Sequence, residues 1–379
     1  MAAATTAGPG AATPQPPRQY KLAPQSELRV EVLPDAPLRV RLVTGTAEIF
    51  GTELPPEGWV PVPPRSKSAI FTWHGATVEL DGVSESEYTS DETPMVIYVN
   101  THAILDARRA RARAAAAQGG DMEASQGSIT IPGCISATPI EKPIDIVDGI
   151  PLEMPLVYFY GHPNPSINAD VYKVLMKELA KTLEKQFSGN AESRAAGMVI
   201  NTMGWVEGLG YELLLNAIET FKANVVLEKL WKMLKDAVQS KSNIDVVKLH
   251  KSEGVVLRNS KYRQKTRSFR IREYFYGIAN DLAPHSNIVN FSDVSVYKIG
   301  GGHQAPRSAL PIGAEPVADP TRLVAVNIST DMIHTVLAVS YAKEPDEIIS
   351  RKKLTYIAPC PGDLPSRLLI ASSLTWYEA

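Results

Sequence analysis

The sequence predicts a multidomain α/β protein: an N-terminal β-sandwich, a central parallel α/β sheet and a C-terminal β-rich domain. Three observations carry this. Short segments of alternating polarity, punctuated by Gly and Pro, fill the first hundred residues. Strand-like and helix-like segments then alternate to about residue 285, as crossover connections in a parallel sheet require. Beyond that point the pattern returns to strands. A chain of 379 residues exceeds one ordinary core and suits two or three domains. The expected division is a disordered tail over 1–19, the β-domain over 20–100, the central domain over 101–285 and the C-terminal domain over 286–379.

The elements follow in order. Met1 to about Gln19 is Ala, Pro and Thr, a composition that cannot bury a core, and it has no charged-then-apolar leader pattern. Glu27–Val32 and Leu38–Val43 alternate with period two, as half-buried strands do. Further strands are expected at Ala47–Phe50, Ala69–Trp73, Thr77–Leu80 and Met95–Val99, separated by Gly51, Pro55-Pro56, Pro63-Pro64 and Gly75. Asn100 then caps an Ala- and Arg-rich helix over Thr101–Gln118, ended by Gly119-Gly120. In the centre, Pro155–Tyr160 reads as a strand. Val171, Val174, Leu175, Leu179, Leu183 and Phe187 lie at helical spacing, closed by Gly189. Gly197–Asn201, Asn224–Leu227 and Asp245–Leu249 read as strands, and Gly210–Lys222 and Glu228–Gln239 as helices. Strands are expected again at Phe291–Ile299, Leu323–Asn327, Thr335–Val339 and Lys352–Ile357.

Composition excludes several classes. Apolar residues make up 44% and charged residues 21%, a globular balance. No apolar run reaches 18 residues, so no membrane partner is expected. Cys134 and Cys360 are the only cysteines, too few for a disulfide framework or a zinc site, and this fits a reducing compartment. The formal net charge of −2 makes the whole molecule no electrostatic trap for RNA; nucleic-acid contact must come from local basic patches.

Several ordered segments carry a family resemblance. They are Gly45-Thr46-Ala47-Glu48-Ile49-Phe50-Gly51-Thr52-Glu53-Leu54, Phe71-Thr72-Trp73-His74-Gly75, Asn100-Thr101-His102 and Gly127-Ser128-Ile129-Thr130-Ile131-Pro132-Gly133. Val199-Ile200-Asn201-Thr202-Met203-Gly204-Trp205-Val206, Arg270-Ile271-Arg272-Glu273-Tyr274-Phe275-Tyr276-Gly277 and Phe291-Ser292-Asp293-Val294 complete the set. From about Tyr20 to its last residues the chain resembles the Clp-type pre-mRNA cleavage complex II proteins of the polynucleotide 5′-hydroxyl-kinase family, and its Pro- and Ala-rich start resembles plant members. The resemblance implies an N-terminal β-domain that helps hold ATP, a central P-loop-kinase-like domain and a C-terminal domain. It implies a nuclear pre-mRNA 3′-end cleavage and polyadenylation factor, either an ATP-binding subunit or a scaffold, partnered by that machinery and by RNA. The alternatives are an ATP- and Mg-dependent RNA 5′-hydroxyl kinase, which also serves tRNA splicing, and a truncated isoform without function.

One motif of that family is absent. The P-loop, Gly-x-x-x-x-Gly-Lys-Ser/Thr, presents backbone N–H groups and a Lys to phosphates and a hydroxyl to Mg²⁺. This chain contains no Gly-Lys dipeptide. Where the motif belongs, Gly119-Gly120-Asp121-Met122-Glu123-Ala124-Ser125-Gln126-Gly127 runs straight into Ser128. One βαβ unit of about 30 residues is missing there, so the central sheet is expected to be incomplete and the chain catalytically silent. Two smaller junctions, Leu227/Glu228 and Ser350/Arg351, also look cut.

The remaining site residues follow from the resemblance, each beside a plainer reading. Glu27 and Lys67 match β-domain positions that contact the nucleotide; otherwise they are a solvated charge at a strand edge and a loop lysine. Trp205 matches a Trp that clasps RNA by stacking; otherwise it is a packed Trp. Arg263 and Arg267, four apart, resemble the lid whose guanidinium groups face transferring phosphoryl charge, with Arg258, Arg270 and Arg272 nearby; otherwise they form a solvated helix face. Arg108, Arg109, Arg111 and Arg113 read as a solvated helix, His74 as structural, and Gly300-Gly301-Gly302 as a turn.

Overall fold

A computed structural model describes residues 16–33, 36–64, 66–116, 129–141, 144–145, 150, 155–228, 244–249, 259–277, 281–284, 288–300, 319–340 and 367–376. Several expectations therefore lie wholly or partly outside the described residues. They include the tail to residue 15, the helix end at Ala117-Gln118 with its Gly119-Gly120 stop and the Gly127–Ser128 junction, the helix over Glu228–Gln239, Arg258 of the basic patch, Gly301-Gly302 of the turn, the strand over Lys352–Ile357, and the Ser350/Arg351 junction. The chain divides into two compact units: Met1–Ala103 with Pro143–Gly149 and Lys248–Leu257, and Ile104–Lys142 with Ile150–Val247 and Arg258–Ala379.

Among the described residues, the first unit has nine strands: β1 (Arg18–Leu22), β2 (Ser26–Val32), β3 (Leu38–Gly45), β4 (Glu48–Ile49), β5 (Thr52–Glu53), β6 (Trp59–Val62), β7 (Lys67–Thr72), β8 (Ala76–Gly82) and β9 (Ser84–Ser90). They form two sheets, β1-β8-β3-β6 and β5-β4-β7-β2-β9. The alternation seen in the sequence sets the inner faces: Leu38, Val40 and Leu42 of β3, Val78 and Leu80 of β8, and Leu28, Val30 and Val32 of β2 share one core. Burying each such side chain contributes about 1.5–3 kcal/mol. Edge strands of the two sheets are tied together by Glu87 of β9. It accepts from Arg18 Nε at 2.6 Å and Nη2 at 2.8 Å, from the Tyr20 hydroxyl of β1, and from Ser84 Oγ at 2.8 Å.

Met95–Val99 is not a strand. It opens α1 (Met95–Ala116), a single 22-residue helix. Thr93 Oγ1 accepts from Met95 N at 3.3 Å, and the Pro94 carbonyl accepts from Ile97 and Tyr98 N. Pro94 pre-sets the backbone for a helix start, and the small propensity cost of Val and Ile is overridden.

In the second unit, β10 (Cys134–Ala137) pairs antiparallel with β11 (Leu156–Phe159). The mixed α/β class holds, but this pairing corrects the expectation of purely parallel strands: β11 returns beside β10 without a crossover helix between them among the described residues. Gly197–Asn201 also differs, with a single-residue bridge at Ile200 and no ladder. A strand needs a neighbour to satisfy its backbone groups, and Ile200 instead packs into the helical core. Helix α2 (Ala169–Gly189) buries Val171, Tyr172, Leu175, Met176, Leu179 and Leu183, and Asn168 Oδ1 caps it by accepting from Val171 N at 3.2 Å. Helices α3 (Ala191–Ala196) and α4 (Leu209–Thr220) follow, then the two-stranded sheet of β12 (Val225–Glu228) and β13 (Asp245–Lys248), then α5 (Ser260–Tyr276).

The last sheet has the order β15 (Leu323–Val326), β14 (Ser295–Ile299), β17 (Leu368–Thr375), β16 (Thr335–Ser340). Strands β14 and β17 are parallel and the other two pairs antiparallel. Phe291–Asp293, expected as the start of the strand, is a 3₁₀ turn. Phe159 shares a core with Ala338, Leu368 and Ile370, so this sheet and the β10–β11 pair belong to one packed body.

Candidate functional site

Five residues were singled out from the sequence, and the structure places them in three locations. Glu27 sits on β2, between β7 and β9, so it is not at a strand edge. It is only 1% exposed. A carboxylate this deep requires a partner, and Arg29 supplies it: Nε donates to Glu27 Oε1 at 2.5 Å. The Arg29 guanidinium also donates to the Glu92 carbonyl at 2.6 Å and lies 5.7 Å from the Tyr88 ring centroid. Burial works against the Arg29 charge, but hydrogen bonding with Tyr88 and Glu27 more than offsets this and raises its pKa. Burial, and then the Glu27 charge, push the Tyr98 hydroxyl up as well.

Lys67 opens β7 and is not in a loop. Its register partner is Glu31, and Nζ stands 2.5 Å from Glu31 Oε1. The ammonium is buried and makes no hydrogen bond, so the attachment to Glu31 is one of charge. Register puts Glu27 opposite Phe71 and Glu31 opposite Lys67. Glu27 and Lys67 therefore share one face of the sheet, about 13 Å apart along the strands. That face carries two ion pairs, Glu27–Arg29 and Glu31–Lys67. Arg29 was missed by the sequence reading. The signal was present in Glu27-x-Arg29-x-Glu31, since residues two apart on a strand lie on one face.

Trp205 precedes α4 and is half-buried. Its ring packs on Gly210 in the first turn of that helix. A Cβ at Gly210 would lie 2.4 Å from the Trp205 ring and 2.5 Å from its carbonyl oxygen, so only glycine admits this approach. Arg263 and Arg267 lie one turn apart on α5, with Arg263 exposed and Arg267 half-buried. Neither makes an ion pair among the described residues. Arg270 is taken by Glu273 at 2.8 Å. On α1, Arg108 pairs with Asp245 at 2.5 Å and Arg109 Nε donates to the Ala196 carbonyl at 3.1 Å, so these cations serve packing.

A nucleoside triphosphate and its metal need backbone N–H groups, a lysine and oxygen ligands set around the phosphates. The sequence has no Gly-Lys step to reach the terminal phosphates, and no group of three or more His, Cys, Asp or Glu suited to a metal ion occurs among the described residues. Glu27 and Lys67 each already face an opposite charge, and without loop residues beside them they do not by themselves make a triphosphate site. No helix among the described residues is long and apolar enough to cross a membrane.

A β-sandwich followed by an α/β core and a β-rich sheet is the architecture of polyadenylation factors with a P-loop domain. Family models match in that order. "N-terminal beta-sandwich domain of polyadenylation factor" covers residues 21–112, "mRNA cleavage and polyadenylation factor CLP1 P-loop" 109–277, and "Pre-mRNA cleavage complex II protein Clp1" 282–352. The chain is 54% identical to the "Protein CLP1 homolog" of Arabidopsis thaliana, covering 96% of this chain and 95% of that protein. It is 34% identical to the "Polyribonucleotide 5'-hydroxyl-kinase Clp1" of Gallus gallus, covering 95% and 96%. The chain belongs to the Clp1 family of pre-mRNA cleavage complex II proteins. Its fold is similar to that of Clp1p in the structure of the wild-type Clp1p–Pcf11p complex, with a TM-score of 0.75 at 19% identity, covering 97% of this chain and 100% of that one. The alignment to the Arabidopsis relative runs over 421 positions, more than the 379 residues of this chain, so residues of that relative fall opposite gaps here.

Proposed function

We propose that this chain is a non-catalytic subunit of the nuclear pre-mRNA 3′-end cleavage and polyadenylation machinery, acting through protein and RNA contacts. One observation carries the reading: a family member alignable over nearly all its length contains no Gly-Lys dipeptide, hence no phosphate-binding loop. Phosphoryl transfer depends on positioning and charge stabilisation, and loss of one donor at a comparable site costs about 10²–10³ in rate. Here the backbone cradle, the Lys and the metal-binding hydroxyl are absent together. Glu27 and Lys67 mark the nucleotide-facing side of the β-domain, Trp205 a stacking platform for RNA bases, and Arg263 with Arg267 a phosphate-contacting pair. Their support is the family match over residues 21–112 and 109–277 and, for the arginines, charges without ion-pair partners among the described residues.

A second reading is an ATP-dependent RNA 5′-hydroxyl kinase working in RNA processing including tRNA splicing; the name of the Gallus gallus relative supports its kinase part alone. One experiment separates the two. The purified chain is incubated with a 5′-hydroxyl oligoribonucleotide, radiolabelled ATP and Mg²⁺, and in parallel the tagged chain is recovered from nuclear extract. No label transfer, with cleavage-machinery subunits recovered, is the expected result. Label transfer at a rate comparable to an intact relative overturns the proposal. No transfer and no recovered subunit leaves only an isoform without function.

A further inference from the structure

Helix α5 carries six cations, Lys261, Arg263, Lys265, Arg267, Arg270 and Arg272, and a single carboxylate, Glu273, in 17 residues. At about 100° per residue, the cations fall into two rows. Arg263, Arg267 and Arg270 form one. Lys261, Lys265 and Arg272 form the other, within about 40° of one another and about half a turn round from the first. This second row runs about 16 Å along the helix axis. The Glu273 carboxylate is taken by Arg270 of the first row at 2.8 Å. Lys261, Lys265 and Arg272 are all exposed and make no hydrogen bond or ion pair among the described residues.

A cationic helix face is ordinarily left to solvent, and α2 shows that case. Lys177, Lys181 and Lys185 form a row there too, but Glu178 and Glu184 stand among them. Lys181 Nζ is 2.9 Å from Glu178 Oε1, and Glu184 holds Lys222 at 2.6 Å. The second row of α5 has no such acid beside it on its own helix. Like charges at Lys261 and Lys265, one turn apart, destabilise the helix, and nothing within the helix offsets them. Next to this row lies an aromatic one. Tyr262, Phe269 and Tyr276 recur every seven residues, about 60° round from the cations. Each is half-buried, and Tyr276 lies 6.3 Å from Trp376. Cations beside aromatic residues are the surface chemistry of single-stranded nucleic-acid binding; an acidic protein segment would need only the cations.

We propose that the Lys261–Lys265–Arg272 row is a docking surface for the phosphate backbone of single-stranded RNA, separate from the Arg263–Arg267 pair on the opposite side of the helix. It rests on the reading of the chain as a subunit that contacts RNA. The grip is electrostatic and needs neither ATP nor the absent loop, so it holds RNA without regard to base sequence.

The test is fluorescence anisotropy of a labelled single-stranded oligoribonucleotide, titrated with the full chain over a series of salt concentrations. Lys261→Gln with Lys265→Gln and Arg272→Gln should weaken binding about tenfold or more at low salt. It should also flatten the slope of log affinity against log salt by about 2, from three lost phosphate contacts at about 0.7 each. Lys261→Arg with Lys265→Arg and Arg272→Lys should keep most of the binding. The same charge change on α2, Lys177→Gln with Lys181→Gln and Lys185→Gln, should leave the slope as it was. All six positions are exposed, so every variant should melt like the parent. Equal affinity and slope in the parent and the first variant overturn the inference; loss of binding in Arg263→Gln with Arg267→Gln would then show that the RNA reading stands without the second row. No binding by the parent also overturns it, and recovery of cleavage-machinery subunits from extract decides the subunit reading separately. Displacement of the RNA by polyglutamate as readily as by unlabelled RNA assigns the row to an acidic protein segment and overturns it as well.

Discussion

Glu27 and Arg29 show how far a single position departs from what its residue type suggests. A glutamate on a strand of alternating polarity is ordinarily solvated; here it is buried and held by the guanidinium two residues on. Breaking a buried pair by removing one partner costs about 3–5 kcal/mol, while replacing both with apolar groups is often neutral. Arg29→Met should therefore lower unfolding free energy by about that amount, and Glu27→Met with Arg29→Met should recover most of it; urea denaturation of the three proteins reads the difference. Gly210 makes a second residue-scale prediction. Gly210→Ala drives a Cβ into the Trp205 ring, so it should cost about 1–3 kcal/mol and shift Trp205 emission to longer wavelength as the ring lifts away. Unchanged emission would show that the helix start, and not the ring, yields.

Among elements, β9 is where pH enters. Hydrogen bonding from Arg18, aided by Tyr20 and Ser84 against the opposing effect of burial, holds the Glu87 carboxyl down at about 2, from an ordinary 4.5. A carboxyl depressed by folding stabilises the folded state above its unfolded pKa and loses that contribution as the pH falls through its folded one. The stability gap between parent and Glu87→Gln should thus be full at pH 6, narrow from about pH 4.5 downward and be small near pH 2. At neutral pH the substitution should cost about 1–3 kcal/mol. Thermal melts across that range test it, and a gap constant with pH would exclude the link. Elements also show why some strands were legible and others were not. Strands β2, β3 and β8 were read because one face is solvated or charged and the period of two survives. Strand β17 was not, because Leu368, Leu369 and Ile370 are all buried, and a strand covered on both faces has no alternation to read. The error at Met95–Val99 arose because Val, Ile and Tyr favour strands on average, while a Thr-Pro entry commits them to a helix.

For the whole molecule, the absent phosphate-loop unit is the feature to test. Backbone groups and apolar helix faces that such a unit would cover lose their partners, so the chain should enhance anilinonaphthalene sulfonate fluorescence and melt over a broad range; a sharp transition with no dye binding would contradict this. The sequence by itself determined the class, the order of sandwich, α/β core and β-rich sheet, the family, and the absence of a phosphate loop. These depend on local periodicity and on which residues are present, and both survive in one dimension. Only the tertiary structure decided that Lys67 faces Glu31 across β7 and β2, and that Glu87 of β9 joins Arg18 and Tyr20 of β1. Those facts rest on contacts between residues far apart in the chain, or on register between strands, and spacing along the chain does not encode either.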